Sequence, residues 1–93
     1  MLAECDRLAA DSDDPSKPAE VAGVKAPGDI DVTKALPACE AAHRLAPGDA
    51  RMTFQLGRSY QAAGRDDDAA RLYREAAEAG QSVAQYELAL AFY

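Results

Sequence analysis

Apolar residues recur at helical spacing through most of the chain and nowhere alternate as they would along a half-buried strand. Leu2, Cys5, Leu8 and Ala9 fall on one face of a first helix over about 2–10. From Asp11 to Ile30 the pattern lapses, because Pro15, Pro18, Gly23, Pro27 and Gly28 break helix and strand alike. A structureless stretch of that length inside a compact domain needs tethers. Its ends are expected to be pinned, with Val21, Val24 and Ile30 laid on the helices. Periodicity resumes in a second helix over Val32–Leu45, with Asp31 as N-cap because its carboxylate can accept from orphan backbone N–H groups. Pro37 falls inside it, where a missing N–H and a clash with the preceding turn cost about 3 kcal/mol. The helix is expected to kink there or to begin its regular part near Leu36. Pro47-Gly48 stops it, and Asp49 caps a third helix over about 50–63, closed by Gly64 in a left-handed turn. A fourth covers about 66–79, with Asp66, Asp67 and Asp68 at its positive end. Gly80 ends it, and Ser82 caps a fifth that reaches the end of the sequence.

Within the third helix, Leu56-Gly57 is followed by Tyr60, and the fourth carries Ala69, Tyr73 and Ala76. A Leu-Gly pair with an aromatic one turn on lets two helices approach closely, and the later Ala and Tyr fill what the approach leaves. Ala35, Cys39 and Ala42 repeat the spacing of Ala69, Tyr73 and Ala76, and Pro47 follows. From Ala35 to Ala76 the chain resembles a tetratricopeptide repeat. Beyond that, Arg74-Glu75-Ala76-Ala77-Glu78-Ala79-Gly80 with Ala84-Gln85 and Leu88-Ala89 resembles the Sel-one-like repeat, with Ala89 where that family has Gly and Phe92 in its Tyr place. The resemblance implies an all-α fold: an α-α superhelix, a right-handed solenoid of antiparallel helix pairs, with about five helices. It divides the chain into a degenerate N-terminal pair (1–48, with the Pro/Gly loop 11–30), one repeat (49–80) and the first helix of a following repeat (81–93). Such a unit cannot bury its apolar face alone and stacks on neighbours. The resemblance further implies a scaffold for a protein or peptide ligand, in bacteria often in exported proteins. Leu56, Tyr60, Leu72, Tyr73 and Leu88 are core by spacing.

Composition narrows the function. The 93 residues allow one small domain, and 48% are hydrophobic, with no Trp. Alanine-rich faces suit close helix packing, and the alanine-rich, acidic character looks bacterial. A formal charge of −6 argues against nucleic acid, whose phosphates need a basic stripe. No apolar run approaches a membrane span. Met1-Leu2-Ala3 runs straight into Glu4, Asp6 and Arg7, without the basic start and apolar stretch of a secretory signal. The sequence stops within the apolar run Leu88 to Tyr93, where a terminal repeat would carry a polar outer face. That pattern suggests a piece of a longer protein. Leu88, Leu90, Phe92 and Tyr93 would then self-associate through the last helix.

Two cysteines flank the long loop. A Cys5–Cys39 disulfide would close it and stabilise the fold by roughly 3–4 kcal/mol. The alternative is a pair of buried thiols. The bridge would place the chain in an oxidising compartment, periplasmic or extracellular, and free thiols in the cytoplasm. Cys39 and His43 are one turn apart, the spacing of a nucleophile with its base or of two metal ligands, but no third orienting group is apparent. The three consecutive aspartates point in different directions on a helix and read as a helix-start pattern. No catalytic residue, cofactor or metal is expected. Rotating the third helix about its core stripe (Thr53, Leu56, Gly57, Tyr60) turns Arg51, Gln55 and Arg58 toward a concave groove, and the fifth helix adds Tyr86, Leu90 and Tyr93. Two arginines there could clamp a carboxylate. The second functional reading is a regulatory or accessory region of an enzyme whose catalytic domain lies elsewhere.

Overall fold

The computed structural model describes residues 2–91, with side chains as far as Leu88. Five α-helices follow one another, α1 Leu2–Ala9, α2 Val32–Leu45, α3 Ala50–Ala62, α4 Asp66–Glu78 and α5 Ser82–Ala91. A 3-10 turn at Pro27–Asp29 precedes α2, and no strand occurs among the described residues. The fold is all-helical, as the apolar spacing requires. None of the helices is long and apolar enough to cross a membrane.

Local chemistry sets the helix ends. Asp49 Oδ1 accepts from the backbone N–H groups of Arg51 (2.9 Å) and Met52 (3.2 Å), which starts α3. Gly64 (φ 79°) reverses the chain after α3 in the left-handed region. Two caps differ from expectation. Asp31 sits at the N-cap of α2 but makes no side-chain bond to its backbone; Oδ1 takes the Thr33 hydroxyl instead, at 2.8 Å. At α5 the cap is Gln81, one residue before Ser82, and its Oε1 accepts from the N–H of Ala84 at 2.9 Å. The longer amide reaches the third N–H of the helix, and its other end is tied elsewhere. Pro37 lies inside α2, which runs unbroken from Val32, with the ring exposed.

The helices pack as consecutive neighbours: α1 on α2 and α3, α2 on α3, α3 on α4, and α4 on α5. α3 is therefore enclosed, and every residue from Met52 to Ser59 is buried. The four-residue stripe expected from the sequence is too narrow, because α1 and the 3-10 turn cover the side of α3 that α2 and α4 leave open. The main core joins Cys5, Ala9, Ile30, Ala35, Cys39, Ala42, Met52, Leu56 and Leu72, and a smaller one joins Phe54, Ala76 and Ala84. Gly57 lies against the Tyr73 ring: a β-carbon there would stand 2.8 Å from Cε1. Removing one methyl volume is what allows α3 and α4 to meet at this point.

The segment between α1 and α2 is folded without regular structure. Asp11 and Val24 form an isolated parallel bridge, and the Val24 N–H donates to the Ala10 carbonyl at 2.6 Å. Gly23 (φ 80°) permits this closure, since a β-carbon there would lie 2.7 Å from Ser12 Cα. Ile30 is buried in the main core and Val24 packs against it, as expected, while Val21 is half-buried. The middle of the segment is tied as well as its ends. Buried Asp14 receives the Ser16 N–H (2.9 Å) and hydroxyl (2.8 Å) on one oxygen and the Gln81 amide (2.6 Å) on the other. Cys5 and Cys39 form a disulfide that joins α1 to α2, with Cα atoms 4.8 Å apart and both side chains fully buried.

Candidate partner-binding surface

The residues expected to line a concave groove are held in three different ways. Arg51 forks onto Asp6, with Nε to Oδ1 at 2.9 Å and Nη2 to Oδ2 at 3.3 Å, while Nη1 donates to the Ser16 carbonyl at 2.8 Å. Asp6 is itself buried, so this bidentate pair works in a poorly solvated place. Gln55 has no exposed surface, and its amide N–H group points to the Cys5 sulfur at 3.3 Å. Its Oε1 has no hydrogen-bond partner. Arg58 is 2% exposed. Its Nη1 donates to the Ala9 carbonyl at the end of α1 (3.0 Å), and Nη2 to the carbonyls of Val24 (2.7 Å) and Lys25 (3.3 Å). Burial lowers the affinity of this guanidinium for its proton, and the nearby carboxylate of Asp11 opposes that. The side of α3 read as an open groove is thus filled by the chain's own first thirty residues, and the two arginines tie that segment down.

The fifth helix contributes differently. Tyr86 is 63% exposed and borders an open pocket of about 280 Å³ with Asp11, Asp13 and Glu87. The Leu90 side chain, Phe92 and Tyr93 lie outside the described residues.

A second surface, absent from the sequence reading, lies where α2 and α4 flank α3. It is a pocket of about 200 Å³ with Leu56 and Leu72 as apolar floor. His43 and Arg44 come from the last turn of α2, Arg71 comes from α4, and Glu40 and Tyr60 close the rim. The Tyr60 hydroxyl donates to Glu40 Oε2 at 3.4 Å, and Arg65 stacks over the Tyr60 ring, 4.5 Å from its centroid. Burial raises the Tyr60 phenol pKa, and the Glu40 carboxylate adds to that. Asp68 is claimed by Arg65 at 2.8 Å and more distantly by Arg71 at 3.4 Å, and the Arg65 hydrogen bond holds its carboxyl below the usual range.

The Cys39–His43 pair has no reactive thiol, because the Cys39 sulfur is bonded to Cys5. Among the described residues, no group of three or more His, Cys, Asp or Glu side chains is arranged to hold a metal ion. Comparison with family models, curated proteins and solved structures found no match.

Proposed function

We propose that this chain is an interaction module of stacked antiparallel helix pairs, of the tetratricopeptide and Sel-one-like design, that holds a partner protein or peptide. The observation that carries the reading is the enclosure of α3 between α2 and α4, with Gly57 against Tyr73. Small residues at helix contacts are the sequence device by which such pairs stack, and stacking leaves extended surfaces for ligands. In this reading the pairs α1–α2 and α3–α4 form the start of a right-handed superhelix, and α5 opens the next pair. The buried Cys5–Cys39 bridge supports work in an oxidising compartment.

The binding surface in this reading is not the inner face of α3, since Gln55 and Arg58 are covered. It comprises the open pockets along the helix seams. Crosslinking of the chain to neighbouring proteins in cells of its source, followed by titration with the purified candidate, tests the proposal. Saturable binding of one purified partner is the expected result. Failure of every crosslinked candidate to bind saturably would overturn it.

A further inference from the structure

We infer that the α2–α3–α4 seam pocket docks an acidic segment of the partner, with an Asp or Glu side chain between Arg44 and Arg71 and an aliphatic side chain on Leu56 and Leu72. The inference rests on the interaction reading above and gives the partner a chemistry.

Size is the first argument. A pocket of about 200 Å³ is smaller than the roughly 300–1,000 Å³ of small-molecule sites and suits one or two side chains of a docked segment. Its floor is the second. Leu56 and Leu72 belong to the main core yet line the pocket, so an aliphatic side chain placed there continues the core outward. Charge is the third. Acidic residues outnumber basic ones 16 to 10 in the whole chain, but at this seam the balance is reversed. Arg44, Arg65 and Arg71 gather around Tyr60, against Glu40 and Asp68. Asp68 is already committed to Arg65, which leaves Arg71 only its longer contact. Arg44 forms no ion pair among the described residues. Two guanidiniums with donors to spare, bordering one pocket with an apolar floor, are complementary to a carboxylate flanked by a leucine-like side chain.

The test uses fluorescence anisotropy with two labelled peptides of equal length, one of Glu, Asp and Leu and one of Lys, Arg and Leu. Each is titrated with the wild type, with Arg44→Glu/Arg71→Glu and with Lys34→Glu/Lys17→Glu. The second variant makes the same change in net charge outside the pocket, and circular dichroism checks that both variants keep their helices. The acidic peptide should bind saturably, lose at least about tenfold in affinity in the arginine variant, and lose markedly less in the lysine variant. Equal losses in the two variants, no binding of the acidic peptide, or preference for the basic peptide would each overturn the inference. A crosslinked partner that binds saturably and is indifferent to Arg44→Glu/Arg71→Glu would overturn the pocket while leaving the interaction reading standing.

Discussion

At Gly57 the distance between two helices is decided by one absent carbon. A β-carbon there would meet Tyr73 Cε1 at 2.8 Å and Cδ1 at 2.9 Å, so the ring must move before alanine fits. Overpacking of this kind costs about 1–3 kcal/mol, while alanine recovers up to about 1 kcal/mol of helix propensity. Gly57→Ala should therefore destabilise the fold by about 1–2 kcal/mol in urea titration, and by less in a Tyr73→Leu background where the ring is gone. The same tyrosine sets a pH limit. Burial pushes the Tyr73 phenol well above its ordinary value, and its hydroxyl donates to Gln61 Oε1 at 2.6 Å. A group whose pKa is raised by folding contributes stability that is intact below its unfolded value, about 10 for tyrosine, and lost as pH rises toward the folded value. Tyrosinate absorbance should show a component that lags until the chain unfolds, besides the delay that burial gives Tyr60. Tyr73→Phe should remove that component.

Among the elements, α3 binds the others together, and its polar residues are its fasteners. Arg58 closes the C-terminal end of α1 and holds two carbonyls of the 3-10 approach. Arg58→Met leaves all three carbonyls without this donor. It should cost about 2–4 kcal/mol and speed hydrogen exchange at the Val24 amide. Later in the sequence, Gln81→Ala removes the α5 cap and one donor to buried Asp14. The expected loss is about 1–2 kcal/mol, with the Ala84 amide exchanging faster. The helices themselves were legible in the chain. Asp49, Gly64 and Gly80 punctuate it through local backbone chemistry, and the limits of α2 follow from where periodicity begins and Pro47-Gly48 ends it. The environment of α3 was not legible. Arg51, Gln55 and Arg58 are polar, and helical periodicity alone assigns polar positions to solvent. They are covered by a segment 33 or more residues earlier, whose contacts leave no periodic trace. The seam pocket escaped for a related reason, since its residues come from three separate helices. Tyr86 lies exposed beside Asp11 and Asp13 of the long loop.

For the molecule as a whole, compactness depends on cross-links between its first third and the rest. The radius of gyration is 11.5 Å, close to the about 12 Å typical of a globule of this length. α1 has eight residues, too few to persist alone. Its disulfide closes a separation of 34 residues, which the chain-entropy model values at about 3–4 kcal/mol. Against a net stability of about 5–15 kcal/mol for a domain, Cys5→Ala/Cys39→Ala should lower the denaturant midpoint sharply. Thiol titration should find no free cysteine in the native or the unreduced denatured chain.

The Asp14–Gln81 contact spans 67 residues of sequence. A ribosome makes the aspartate early and the glutamine late, so Asp14 still lacks its distant partner when α3 has already supplied the Arg51 and Arg58 tethers. Only once the turn after α4 is released can the stretch around Asp14 complete its bonds. Loop-closure entropy slows that last step relative to the local helices. Nascent chains halted before and after residue 81 should differ in how readily a protease cuts next to Lys17, whose N–H donates to the Asp14 carbonyl.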